Sequence, residues 1–204
     1  TPLCLLEDSK HFNDYDYCLP HLLDEDPGYR DYFLQSKKEG RYIIMDNSLH
    51  ELGEAYNHER LIHWINEIKP NEFIVPDVWQ NSIESIQNAE IWNLYDFPKG
   101  VEKVAVVQAT TLHEAAQCVK AYKNLGYGKI CFSYGASYYN DICTHPNKDL
   151  GKALGRLFVI STLFYLYFKI IIFFRLMNYQ TYYFLLMKFI KNLNECYGTY
   201  FFVL

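Results

Sequence analysis

Four short apolar runs, each followed by a polar residue, recur along the first two thirds of the chain. The runs are RYIIMD, EFIVPD, KVAVVQ and KICFSY, and their polar ends are Asp46, Asp77, Gln108 and Ser133. Helix-like stretches separate them, so the pattern predicts alternating strands and helices around a parallel sheet. Because the carboxyl ends of such strands are where βα barrels assemble their chemistry, the pattern favours an enzyme.

The pattern predicts four strands, at Tyr42–Met45, Phe73–Val75, Val104–Val107 and Ile130–Phe132. It also predicts helices over residues 57–68, 81–92 and 110–126, which gives a repeat of roughly thirty residues, typical of βα units. Their apolar positions at helical spacing are Leu61, Ile62, Ile65 and Ile68 in the first helix and Ile83, Ile86 and Ile91 in the second. Asn57 is the expected N-cap of the first helix, Asn81 or Ser82 that of the second, and Gly126 closes the third. Residues 1–40 are predicted to form turns and a short helix.

Length and charge limit this interpretation. A complete eight-stranded barrel typically takes about 250 residues, whereas the chain has 204. The expected fold is therefore α/β, a partial TIM-type (βα) barrel with parallel strands followed by an atypical hydrophobic C-terminal segment. Residues 1–149 carry 13 Lys+Arg against 23 Asp+Glu, and residues 150–204 carry 6 against 1. The net charge of −10 in the first part would repel nucleic-acid phosphates.

The composition changes after Gly155, which predicts a barrel portion over residues 1–156 and an aromatic-rich tail over residues 157–204. The tail holds 16 of the 36 aromatic residues, one acidic residue and no Pro. Residues 157–174 form an apolar run that just reaches the length of a membrane-spanning helix. The alternatives are a buried helix followed by strand material, or a reading-frame shift or intron read-through in AT-rich DNA. A membrane partner is not expected.

The cysteines and histidines predict no metal site and no cofactor. The six cysteines are scattered without a CxxC pair, and the histidines show no metal-ligand spacing. No secretory signal opens the given sequence, so the expected setting is reducing and cytoplasmic.

Polar residues at the first two strand ends are candidate acid/base and recognition groups. Asp46 would lie at the sheet edge beside Asn47 and Ser48, a position that suits a general acid or base. The alternative is an Asx turn that only caps the next segment of the chain. Asp77 follows Pro76, which would end its strand firmly and present a second carboxylate that could accept hydrogen bonds from a donor-rich, guanine-like edge. It could instead cap a helix.

The third and fourth strand ends add neutral groups. The Gln108 amide can both donate and accept, which suits a ring nitrogen and a carbonyl together, although it could simply bond to the next loop. Ser133, Tyr134 and Gly135 end the fourth strand, where glycine permits either close approach of a ligand or a turn.

The ordered set MDNSLHELGE, VPDVW, VVQATT and LGYGKICFSYG resembles the tRNA-guanine (queuine) transglycosylase superfamily, including its phage-type and DNA-modifying relatives. These βα barrels exchange guanine for a 7-deazaguanine base. The resemblance covers roughly residues 41–156. It implies that Asp46 is the catalytic acid/base aspartate, that Asp77 and Gln108 bind the base edge, and that Tyr134–Gly135 replace a Gly-Gly backbone contact to the base.

The departures from the family pattern concern catalysis. The family's nucleophilic aspartate on a later strand and its cysteine-rich zinc site are not found, and residues 157–204 contain no aspartate. Base exchange by double displacement needs such a nucleophile. We therefore expect a pentosyltransferase-like protein that exchanges guanine for a 7-deazaguanine base in tRNA or DNA. One form of this hypothesis is that the chain is truncated and inactive.

Three alternatives stay open. The first is a non-catalytic module that binds a purine base, as a homo-oligomer or as the partner of an active subunit. The second is a different barrel enzyme that acts on a small metabolite with Asp46 and Asp77 as its acid/base pair. The third is a membrane-anchored protein that uses residues 157–174.

Overall fold

The chain forms a five-stranded parallel sheet whose strand order follows the sequence. A computed structural model of the protein describes the backbone of residues 1–168, and residues 1–163 belong to one compact unit. The strands are β1 Tyr15–Cys18, β2 Tyr42–Met45, β3 Glu72–Ile74, β4 Glu102–Val107 and β5 Lys129–Phe132. They are ordered β1-β2-β3-β4-β5, and every neighbouring pair is parallel. The predicted α/β class and the four predicted strand positions are confirmed, with boundary shifts of one or two residues.

Helices connect the strands. They are α1 Leu6–Phe12, α2 Pro20–Glu25, α3 Pro27–Lys38, α4 Leu49–Leu52, α5 His58–Ile68, α6 Ser82–Asn93, α7 Leu112–Asn124, α8 Tyr139–Ile142 and α9 Lys148–Phe168, with a 3₁₀ turn at Leu3–Leu5. Side-chain oxygens of Asn57, Asn81 and Thr111 accept the backbone N–H three residues further on, each at 3.1 Å. These bonds satisfy N–H groups that the first helical turn leaves unpaired, so α5, α6 and α7 begin there. The predicted caps Asn57 and Asn81 are confirmed.

The first strand is a correction to the sequence analysis, which predicted only turns and a short helix before Gly40. β1 pairs with β2 from Tyr15 against Tyr42 to Cys18 against Met45. Its side chain at Asp16 is fully buried. An acidic residue at a buried strand position conceals the apolar pattern, and a long-range ion pair with Arg41 makes its burial tolerable.

The buried face of α6 also differs from the prediction. Ile83 and Ile91 are 69% and 51% exposed, whereas Ser85, Ala89 and Trp92 are buried. The indole of Trp92 packs among aromatic rings at centroid distances of 5.5–5.9 Å. Burial of this one large ring sets the orientation of the helix, because it removes more apolar surface from water than either isoleucine would.

A charged cluster lies at the amino ends of β2 to β5. Lys129 pairs with Glu72 and, at 2.7 Å, with Glu102, and the Tyr42 hydroxyl donates to Glu72. These four residues are the first residues of four neighbouring strands, and Glu72 lies directly opposite Glu102. The cluster therefore joins the amino ends of the four strands. It occupies the end of the sheet opposite to the candidate site, and we assign it a structural role.

Helix α9 runs through the predicted boundary between residues 156 and 157. Val159 and Leu163, beyond that boundary, are 0% and 2% exposed. The remainder of the predicted tail, residues 169–204, lies outside the described residues. Within residues 1–168, no helix combines the length and apolar character that a bilayer crossing requires.

We expect Gly155→Ala to destabilise the protein by about 1–2 kcal/mol. A Cβ at Gly155 would overlap the backbone carbonyl of Tyr139. Overpacking typically costs about 1–3 kcal/mol, and because backbone atoms cannot rotate away, the cost here lies at about 2–3 kcal/mol. The higher helix propensity of alanine, worth about 1 kcal/mol, offsets part of this cost. Urea unfolding measures the difference. The control is Gly128→Ala, where a Cβ meets nothing within 4 Å. Equal stability of the two variants would contradict the close packing of α9 on α8.

Candidate functional site

A buried carboxylate lies between two side-chain amides at the carboxyl ends of β2, β3 and β4. The Asn47 Nδ2 group donates to Asp77 Oδ1 at 2.5 Å, and Gln108 Nε2 donates to Asp77 Oδ2 at 2.6 Å. All three side chains are at most 5% exposed. The structure thus brings together three of the predicted site residues, one from each of three neighbouring strand ends.

Further hydrogen bonds fix which end of each amide faces Asp77. The Oδ1 atom of Asn47 accepts from the Leu49 N–H, while its Nδ2 group also donates to the Val75 carbonyl. The Oε1 atom of Gln108 accepts from the Gln80 N–H at 3.1 Å. With both amide oxygens engaged elsewhere, the two NH₂ groups must point to the carboxylate. The Asn47–Asp77–Gln108 network is therefore oriented in advance of any ligand.

Burial governs the ionisation of Asp77. It raises the pKa of the carboxyl, and the hydrogen bonds from Gln108, Asn47 and its own backbone N–H only partly oppose the rise. A carboxylate has about four lone-pair sites, so these three donors leave room for a further N–H donor. Gln108 Nε2 likewise has a second hydrogen that no described bond uses. An acceptor and a donor thus remain available side by side.

The Asp46 carboxyl bonds to a tyrosine and to the Asn47 backbone, outside the side-chain bonds of the amide network. Burial raises its pKa, the neighbouring Glu51 and Asp77 charges raise it further, and hydrogen bonds from the Asn47 backbone and the Tyr17 phenol oppose the rise. Because the raised pKa keeps the proton to higher pH than in an ordinary aspartate, Asp46 has the property expected of a general acid/base. Tyr17 was not predicted, because its strand was missed.

Ser48 contacts a histidine from the N-terminal part of the chain. His21 Nδ1 lies 2.8 Å from Ser48 Oγ, and the Ser48 side chain is fully buried. Ser48 has φ +57°, the left-handed region that non-glycine residues rarely adopt. The bond to His21 helps hold this turn, which carries Asp46 and Asn47. No pattern in the sequence indicated His21.

The predicted residues after β5 lie at the same edge of the sheet but outside the amide network. Ser133 is buried, and its carbonyl accepts from the Tyr139 hydroxyl at 3.0 Å. Tyr134 is 63% exposed. A Cβ at Gly135 would overlap the indole of Trp79, so this glycine is needed for a close approach of Trp79. The sequence analysis singled out Gly135 but did not identify its neighbour.

A cavity of about 280 Å³ lies elsewhere, between the N-terminal helix and β1. Tyr15, Tyr17 and Phe12 contribute its apolar wall. The cavity contains none of the three network residues. Ligand specificity depends on oriented polar groups, which the network supplies, so the network is the candidate site.

Neither a metal-binding group nor a similar known protein identifies the function of the site. In the part of the chain that the structure describes, no three His, Cys, Asp or Glu side chains lie close enough to hold a metal ion. Comparison with protein-family models and with curated proteins finds no match. The function of the site is therefore inferred from its contacts.

Proposed function

We propose that the Asn47–Asp77–Gln108 network binds the edge of a guanine or 7-deazaguanine base. The observation that supports this most is the fixed Asp77 carboxylate, which two oriented amides hold at the strand ends. Guanine carries N1–H and 2-amino donors next to its O6 acceptor. The remaining acceptor site of Asp77 suits one of these donors, and the second N–H of Gln108 suits O6.

The fold and Asp46 are consistent with a base-exchanging enzyme of the transglycosylase type. Parallel strands in sequential order are the arrangement of a (βα) barrel, so we propose that the five strands are part of one. In this proposal Asp46 transfers the proton on the base as the glycosidic bond breaks or forms. The sequence resemblance and the raised pKa of Asp46 support this role.

A second candidate is a module that binds the base without exchanging it. It is favoured by the network itself, because hydrogen bonds suffice to hold a base, whereas exchange also needs a carboxylate nucleophile at the sugar carbon. Incorporation of radiolabelled guanine into tRNA and into DNA distinguishes the two candidates. Label in either nucleic acid supports exchange, and base binding without incorporation supports the module.

Calorimetric titration with free bases tests the pocket directly. We expect guanine to bind at least about tenfold more tightly than adenine, because adenine lacks two adjacent donors and one lost hydrogen bond to a charged group costs about 1.5–3 kcal/mol. Affinity should fall as the pH drops through the pKa of Asp77, since the ionised carboxylate accepts a hydrogen bond from the base more strongly than the neutral acid does. Because burial raises that pKa, the loss begins at a higher pH than for an ordinary aspartate. Equal affinity for both bases would contradict the proposal.

A further inference from the structure

Within residues 1–168, three residues other than glycine have a positive φ, and two of them adjoin the amide network. Ser48, with φ +57°, follows Asn47 directly, and Gln80, with φ +52°, donates its N–H to the Gln108 Oε1 atom. The third, Lys69, lies at the C-cap of α5. Residues other than glycine adopt this region at a cost, and such residues concentrate at functional sites where their surroundings hold them. Each of the two amides therefore depends on a strained turn.

The turn at Ser48 sets the direction of the Asn47 side chain. The Leu49 N–H, which belongs to the peptide unit after Ser48, donates to Asn47 Oδ1 at 3.1 Å. The Tyr56 N–H donates to the Asn47 carbonyl at 2.8 Å and fixes the backbone on the other side. With a negative φ at Ser48, the Leu49 N–H would leave Oδ1. The amide would then be free to rotate away from Asp77.

His21 holds this turn from another part of the chain. Its Nδ1 atom lies 2.8 Å from Ser48 Oγ, and the Ser48 side chain is fully buried. His21 belongs to α2, so the bond connects the turn to a helix 27 residues earlier. Loss of the imidazole would remove this partner from a buried hydroxyl, which favours a different conformation of the turn. A glycine at position 48 would adopt the same φ without strain and would not need the partner.

We infer that His21 is a positioning residue for base recognition: through Ser48 it holds the Asn47 amide against the Asp77 carboxylate. His21 acts through these side chains and does not itself contact the base. A network that is oriented in advance avoids the cost of ordering its side chains when the ligand binds, so loss of His21 should weaken binding. The identity of the ligand rests on the proposed function, whereas the hydrogen bonds from His21 to Asp77 do not.

Hydrogen exchange of the Asn47 side-chain NH₂ group, followed by NMR at constant pH, tests the positioning without any ligand. We expect His21→Leu to speed this exchange at least about tenfold, because the released amide is reached by water. His21→Asn should restore slow exchange, since its side-chain amide can replace Nδ1 as the partner of Ser48. The control His63→Leu removes an exposed imidazole from α5 and should change the rate by less than about twofold. Backbone N–H groups of β4 report global unfolding.

Ser48→Gly distinguishes positioning from a general loss of stability. Glycine adopts the positive φ freely, so this variant should keep the slow exchange of the Asn47 amide. Adding His21→Leu to it should then change the rate by less than about twofold. Equal effects of His21→Leu with serine and with glycine at position 48 would overturn the inference, because the imidazole would then act independently of Ser48. Unchanged exchange in His21→Leu, or an equal increase in β4, would also overturn it.

Guanine titration separates this result from the proposed function. We expect His21→Leu to lower the affinity for guanine about threefold to tenfold, and His21→Asn to restore it. If wild type binds guanine and His21→Leu binds it equally well, the positioning role is wrong. If neither protein binds guanine while the exchange rates differ as expected, only the proposed base pocket is wrong.

Discussion

Asp77→Ala is expected to lower the affinity for guanine by at least about tenfold. The carboxylate would accept a hydrogen bond from one donor of the base, and a bond to a charged group contributes about 1.5–3 kcal/mol. Losing it therefore costs at least about 1.5 kcal/mol, and each 1.4 kcal/mol is a factor of ten in affinity. Calorimetric titration of the variant and wild type with guanine measures the change.

Two further variants make this result interpretable. Alanine leaves the Asn47 and Gln108 amides without their acceptor and can destabilise the fold, so Asp77→Asn, which keeps the size of the side chain, is measured beside it. Asp31→Ala removes the same charge from a side chain that is 74% exposed and should bind guanine like wild type. A folded Asp77→Asn protein with wild-type affinity would show that the carboxylate does not contact the base.

Arg41→Ala is expected to lower the free energy of unfolding by about 3–5 kcal/mol. Arg41 donates from Nε to Asp16 Oδ2 at 2.7 Å and from Nη2 to Asp16 Oδ1 at 3.0 Å, and the Asp16 side chain is 0% exposed. Removing one partner of a buried pair leaves an uncompensated charge in the interior, which accounts for the large cost. Urea unfolding at pH 7 measures it.

The effect of Arg41→Ala should depend on pH. Burial alone would raise the pKa of Asp16, but the hydrogen bonds from Arg41 and Tyr32 outweigh it, and the pKa is lowered. The lowered pKa means that Asp16 stabilises the fold above about pH 4, the usual value for an unfolded aspartate, and that this contribution is lost as the pH falls through the folded value. The difference between wild type and variant should thus shrink below about pH 4.

A surface pair provides the control for this prediction. Lys10 and Glu39 lie 2.6 Å apart, and their side chains are 34% and 37% exposed. Exposed pairs contribute about 0–1 kcal/mol, so Lys10→Ala should change stability by less than about 1 kcal/mol. If Lys10→Ala and Arg41→Ala cost the same, the burial of the Asp16–Arg41 pair does not have the energetic effect we assign to it.

Local sequence patterns predicted the elements that depend on apolar periodicity and on helix capping. The strands at Tyr42–Met45 and Val104–Val107 are apolar runs of strand length, and the caps Asn57 and Asn81 precede periodic helices. The meeting of Asp77 with Gln108 was also predictable, because the carboxyl ends of neighbouring parallel strands lie at the same edge of a sheet.

Contacts that join distant parts of the chain could not be predicted in this way. β1 was missed because its buried Asp16 depends on Arg41, 25 residues further along. His21 and Tyr17 reach the Asp46 turn from the same missed region. The face of α6 was assigned from its isoleucines, whereas the packing of one indole ring determined it. In each case a single long-range partner outweighed the local pattern.

The sequential strand order has a consequence for how the chain folds. Each strand pairs with the next one along the chain, so each pairing closes a loop of roughly thirty residues. The entropy cost of loop closure is then similar for every pair of strands, and none of these pairings joins distant parts of the chain. Such a topology has a low contact order for a parallel sheet, and a low contact order favours rapid folding. Any neighbouring pair of strands can form first, and further βα units can then be added to it one at a time.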